Sequence, residues 1–254
     1  MTDPRAMAYV NLYGVLATLE NLCTLDQQAK TILKTLKQPV SLCFDVKDGP
    51  CGTLHFDRNS CIFTEGSTGC TCKMTFGSPK AFNDLIDKSK PGIPTKNPVQ
   101  VLSFLLGPFT KLTDRLNDVL RPSEDAMKDR AFFELSTTLT FYTIVGGISA
   151  LANTDPISMI SASNTCDGDI HLGIAGVAAA TISVKDNRFM TIKKAPEKPR
   201  AKMEFADIDL AYALFNGTAS TINELCKGNI RLSGMISMVD NVNRILDRIA
   251  VYLA

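Results

Sequence analysis

Eight cysteines and two histidines are the side chains here best suited to covalent or metal chemistry. Cys51, Cys61, Cys70 and Cys72 crowd one stretch, and Cys43 lies just before them. Four thiolates close a zinc site when the chain brings them to one point. This spacing is neither a finger nor a ribbon: no Cys-x-x-Cys pair exists, and Cys70-x-Cys72 falls on an expected strand. The cysteines read as small buried hydrophobes and free thiols, and no metal ligand is assigned. His55 and His171 also fall on expected strands. A histidine base needs a nucleophile and an orienting acid beside it, and the chain has no Gly-x-Ser-x-Gly or comparable turn. No catalytic residue and no cofactor are assigned, and the chain reads as not an enzyme. Gly146-Gly147 lacks the preceding strand and the spacing of a phosphate-binding loop.

Two other groups bear on binding. Lys193, Lys194, Lys198, Arg200 and Lys202 form a basic run broken by Glu197. It reads as a solvated hairpin that discourages edge pairing, and contact with an anionic headgroup or bilayer is the alternative. Met203, Met235 and Met238 surround the last strand and helix. Methionine adapts to varied apolar ligands and equally to ordinary core.

The composition sets bounds. The chain has 254 residues, enough for one large or two ordinary domains, with 45% hydrophobic and 21% charged residues. A formal net charge of +1 gives no global attraction to nucleic acid, so none is expected as a partner. The opening MTDPRAMAYV has no basic region followed by an apolar core. Reduced thiols and a cytoplasmic location are the expectation.

The elements that position these residues follow from periodicity. Residues 6 to 36 read as helix, with a break and recap at Thr24-Leu25-Asp26 and a stop at Pro39. Strands are expected at Val40–Val46, Thr53–Asp57, Cys61–Glu65 and Cys70–Phe76, and Ser78-Pro79 opens a helix. Pro91, Pro94 and Pro98 break the chain. Val99 to Leu120 then reads as helix, interrupted at Gly107-Pro108, with Leu102, Leu105, Leu106, Phe109, Leu112, Leu116 and Val119 as its apolar face. Arg121-Pro122-Ser123-Glu124-Asp125 reads as a boundary, giving domains 1–122 and 123–254. Ala126 to Ala152 is helix, and no charge occurs between Glu134 and Asp155. That run has the length of a membrane span but is rich in Ser, Thr and Gly. A helix buried between the two units is preferred to a span or a lipid-contacting surface helix. Pro156 to Asp169 reads as a connector, followed by strands at Ile170–Ala175, Ala178–Val184 and Arg188–Lys193, with a tight turn at Asp186-Asn187.

The halves match each other at low identity. CKMTFGSPKAFNDLID from Cys72 lines up with AKMEFADIDLAYALFN from Ala201, so Met74 matches Met203 and Phe76 matches Phe205. Val40-Ser41-Leu42-Cys43-Phe44 is set against Ile170–Ile174, and Thr53–Phe56 against Thr181–Val184. The pattern reads as an internal duplication of a unit of roughly 125 residues.

The last stretch, Lys198 to Leu253, is the most specific. A strand ending Met203-Glu204-Phe205 turns at Ala206-Asp207 into a helix with Ile208, Ala211, Tyr212 and Phe215 at helical spacing. Asp207 caps it and Asn216-Gly217 stops it. A short helix over Ser220–Cys226, the strand Gly228-Asn229-Ile230-Arg231-Leu232-Ser233-Gly234 and a terminal amphipathic helix complete it. This order, with Leu210, Leu214 and Gly217, resembles the sterol carrier protein type-2-like lipid-transfer family, apparently as two tandem diverged copies. The first copy shows no Gly-x-Ile-x-Leu-x-Gly strand. The resemblance implies α+β units, each a mostly antiparallel sheet of four to five strands with helices on one face. It also implies non-catalytic binding of a fatty acid, acyl-CoA or other lipid in a tunnel between sheet and helices. Wall candidates are Phe205, Leu210, Leu214, Ile230, Leu232, Met238, Val242, Ile245 and Ile249, and Met238→Trp is expected to fill the tunnel. Transient membrane contact and oligomeric state stay open. The rival reading is an interaction or structural module with a filled core and no ligand.

Overall fold

The computed structural model describes residues 2–87 and 98–253. The chain forms two compact units, Met1–Leu135 and Ser136–Ala254. Both are α+β, with four strands in one sheet and five in the other.

Unit 1 opens with helix α1 (Pro4–Tyr9), a π turn over Val10–Val15 and a 3₁₀ turn over Leu16–Thr18. Helix α2 (Leu19–Leu25) then stops at Asp26, which leaves the helical conformation and caps α3 (Gln27–Lys34). The expected break is there because an extended aspartate satisfies a backbone N–H that the next helix leaves unpaired. Strands β1 (Val40–Val46), β2 (Cys51–Phe56), β3 (Cys61–Glu65) and β4 (Cys72–Phe76) follow. The sheet order is β3-β2-β1-β4, antiparallel except for the parallel β1–β4 pair. Ser78 and Pro79 open α4 (Pro79–Ile86). Pro91 and Pro94 lie outside the described residues.

The stretch after them corrects one expectation. Helix α5 (Pro98–Phe104) runs through a π turn (Leu105–Phe109) into α6 (Thr110–Leu120). Pro108 has no N–H to give, and the wide turn accommodates it. The Thr110 hydroxyl donates to the Leu105 carbonyl at 2.7 Å. The extra residue in that turn shifts the helical phase. Val101 and Phe104 are therefore buried before it, whereas Leu102 and Leu106 are exposed. Leu112, Leu116 and Val119 are buried as expected.

In unit 2 the helix α7 (Arg130–Thr154), which starts in unit 1, is followed by α8 (Pro156–Ser163) where a connector was expected. α7 is long and apolar enough to cross a membrane by length and composition, and 78% of that apolar stretch is buried in the protein. Strands β5 (Gly168–Ile174), β6 (Ala178–Lys185), β7 (Arg188–Ile192) and β8 (Ala201–Phe205) come next. Helices α9 (Ile208–Phe215) and α10 (Thr221–Cys226), strand β9 (Ile230–Gly234) and helix α11 (Ile236–Leu253) finish the chain. The order β7-β6-β5-β8-β9 repeats the first sheet, including a parallel β5–β8 pair, and adds one strand. The side-chain amide of Asn153 donates to the Phe189 carbonyl at 2.8 Å and accepts from the Phe189 N–H at 3.0 Å, tying α7 to β7.

The registers refine the match between halves. Phe44 sits beside Met74, and Leu172 beside Met203. Hence Leu42 answers to Ile170 and Phe44 to Leu172, two residues off the alignment of Val40 with Ile170. A shift of two leaves every side chain on its own face, so alternation alone does not separate the registers. The match of Thr53 with Thr181 holds, and each hydroxyl donates at 2.7 Å to a carbonyl, of Gly66 and Lys194 respectively.

Gly234 closes β9 at φ +78°, where an added Cβ would collide with the Arg200 carbonyl oxygen. Gly217 ends α9 at φ +68° with open space around it. Gly217→Ala should cost about 1 kcal/mol, the backbone penalty alone. Gly234→Ala should cost about 3 kcal/mol or more, because strand pairing must also yield. Chemical denaturation of the two variants checks the difference, and equal losses would contradict it.

Candidate functional site

The site is an apolar cavity inside unit 2. Leu172 and Met203 are direct neighbours on parallel strands, and Ile174 and Phe205 are the next pair along. Alternation turns Leu172, Met203 and Phe205 to the same face. Over that face α7 places Phe141, Ile144, Val145 and Ile148, and α11 places Val242, Asn243 and Leu246. Phe215, at the end of α9, packs edge-on against Phe205 with ring centroids 5.9 Å apart. The enclosed space is about 20 Å³. That holds one water or methyl group, and an apolar cavity of this size stays dry. Phe215, Asn243 and Leu246 are half-buried and form its more open side, whereas the other liners are buried.

Of the residues expected to form a wall, Phe205 and Val242 line this cavity. Ile230, Met238, Ile245 and Ile249 are buried in the surrounding core, and Leu210, Leu214 and Leu232 are half-buried. Met238 is fully enclosed and is not a liner, so tryptophan there would overpack the core. Periodicity marked the buried stripe of α11 but not α7, where nearly every face is apolar or small and no stripe stands out.

Unit 1 fills the matching space with aromatic rings. Phe44 stands where unit 2 has Leu172. Its ring lies 6.0 Å from Phe82 and 6.3 Å from Phe109. Phe56 packs on Phe104 at 5.2 Å and on Phe109 at 6.1 Å, and Phe76 packs on Phe82 at 5.1 Å.

Each unit is also locked by a buried aspartate, Asp26 in the first and Asp155 in the second. In unit 1, Asp26 accepts from the Ala29 N–H and takes a two-pronged contact from Arg115 of α6 at 3.0 and 3.1 Å. In unit 2, Asp155 accepts from the Ser158 N–H at 2.9 Å, the Ser158 hydroxyl at 2.8 Å and the Tyr252 hydroxyl at 2.8 Å. Arg248 of α11 reaches it at 3.4 Å. Burial raises the Asp155 pKa, but the hydrogen bonds from Tyr252, Ser158 and Arg248 outweigh it and hold the carboxyl below its ordinary range. Asp26 and Asp155 stand at the same offset as Met74 and Met203. That spacing, and the Asp155-Pro156 pair, were the signals that could have found α8.

The residues with chemistry of their own are placed quietly. Cys43 and Cys51 have sulfurs 4.0 Å apart on β1 and β2. Burial, partly opposed by the neighbouring Thr53 hydroxyl, pushes the Cys43 thiol up to about 12, so it is neutral at physiological pH. The eight cysteines are free, and among the described residues no three His, Cys, Asp or Glu side chains converge as a metal site. His55 is held by Ser41 at 2.8 Å and Thr64 at 2.9 Å. His171 is buried, with Glu204 3.9 Å from its Nε2.

No protein-family model and no curated protein matches the chain. Among solved structures it is similar to Sterol Carrier Protein 2 Like 2 from Aedes aegypti, at 17% identity, over 40% of this chain and 92% of that one, with a TM-score of 0.29. It is also similar to the conserved hypothetical protein TT1886 from Thermus thermophilus, at 12% identity, over 36% of this chain and 74% of that one, with a TM-score of 0.27.

Proposed function

We propose that unit 2 binds the apolar part of a small amphipathic molecule, such as a fatty acid, acyl-CoA or other lipid, between its helices and its sheet, without catalysis. The observation that carries this reading is the apolar cavity beneath α7 and α11. At about 20 Å³ it is a closed form. A chain enters by displacing the half-buried Phe215 and Leu246, which form its more open side. Each CH₂ taken from water contributes about 0.8 kcal/mol, and this gain works against the cost of opening. The liners carry no charge, so an ionised head group stays at the mouth, near the Asn243 amide. We also read the two units as diverged copies of one ancestor, supported by the repeated strand order and the paired Asp26 and Asp155 hubs. In that reading the first copy has lost its site to aromatic filling.

Titration with a fluorescent long-chain fatty-acid analogue, displaced by unlabelled fatty acid, tests this. Saturable binding of one equivalent supports it, and no saturable binding sinks it. The second reading, a structural or interaction module with a filled core, is favoured by the small cavity volume and predicts the latter result.

A further inference from the structure

The two units supply an internal comparison wherever their elements correspond. Helices α3 and α8 have the same length and the same aspartate cap, and each cap accepts from the N–H three residues on. Counting from Asp26 and Asp155, Gln28 answers to Ile157, Lys30 to Met159 and Thr31 to Ile160. In α3 these positions are polar, as an outward helix face normally is. In α8 they are apolar and open: Ile157 is 55% exposed, Met159 47% and Ile160 66%. The fold therefore does not require hydrophobic residues there, and unit 2 has acquired three of them side by side.

Two features choose the occupant. The three side chains leave on the order of 300 Å² of apolar surface open, the size of a functional patch. It is well short of the roughly 800 Å² per partner that a stable dimer or a standard protein complex buries. No charged residue occurs from Pro156 to Cys166, so α8 itself brings no charge to pair with a charged partner or an anionic headgroup. A short uncharged helix with three large aliphatic side chains outward suits shallow insertion among neutral lipids, where affinity follows buried apolar area. We propose that the outer face of α8 docks unit 2 on an uncharged lipid surface through Ile157, Met159 and Ile160.

This docking face would serve the carriage proposed above, but its test needs no cargo and can fail separately. The wild-type chain and a triple variant, Ile157→Gln, Met159→Lys and Ile160→Thr, are floated with phosphatidylcholine vesicles at low and high salt. The variant carries the residues that α3 already holds at these positions, and far-UV circular dichroism with a melting curve confirms that it folds. Wild-type protein should co-float to the same extent at both salt concentrations, and the variant should lose at least tenfold in partition. The proposal is overturned by equal partition of the two proteins or by absence of wild-type binding. Binding that appears only on anionic vesicles and vanishes with salt also overturns it, as does a wild-type dimer in sedimentation that the variant abolishes.

Discussion

Replacing Leu172 with phenylalanine should abolish ligand binding by unit 2, lowering affinity for a fatty-acid analogue at least tenfold, while leaving the fold intact. The larger side chain adds about 25 Å³, a volume change that cores absorb at small cost only where space exists. The cavity beside Leu172 is about 20 Å³, so the added ring fills it. The sheet of unit 1 already holds a phenylalanine at the corresponding register position, Phe44 beside Met74. Stability should change by less than about 1.5 kcal/mol. Analogue titration with a parallel melting curve reads both quantities. Unchanged affinity in a folded variant would move the site away from this cavity.

Asp155→Ala should produce the largest loss of stability of any single substitution considered for unit 2. It removes the cap of α8 and the acceptor of Tyr252, and it leaves Arg248 half-buried without its carboxylate. Stripping one partner from a buried pair costs about 3–5 kcal/mol. Amide hydrogen exchange across α8 and α11 is the suitable measurement, because it reports unit 2 separately from unit 1. Protection there should fall by about a hundredfold or more at neutral pH. The Asp155 pKa is lowered in the folded state. Its contribution is therefore complete above the ordinary carboxylate range and is lost as the pH falls through the folded value. The gap between wild type and variant should be widest above about pH 5 and close in strong acid. A gap that stays constant into acid would show that the carboxylate charge is not what holds α11.

The parts of this fold legible in the sequence are those where one physical rule acts locally. Val40–Val46 alternates cleanly, and Asp186-Asn187 adopts the positive φ values of a tight turn. Asp207 and Gly217 bound α9 as their chemistry dictates. The missed parts depend on partners distant in sequence. α8 has one capping signal but no amphipathic stripe, since its outward face is apolar, so it read as a connector. The π turn at Leu105–Phe109 shifted the buried face of α5, a change of phase that a fixed period does not follow. The cavity was legible only in part. Phe205 and Val242 belong to patterned elements, whereas Phe141 and Ile148 lie on a helix whose composition is apolar all round. Phe44 marks the filled counterpart only once the strand registers show that it stands opposite Met74.

Whether one unit of two holds a ligand is read by native mass spectrometry of the purified chain. Organic extraction and identification of the bound compound follow. A single retained lipid or acyl compound per chain is expected, absent from the Leu172→Phe protein. Two equivalents per chain would contradict the filled first unit. A bare protein mass, together with failure of fluorescent fatty-acid analogues to bind, would contradict carriage altogether.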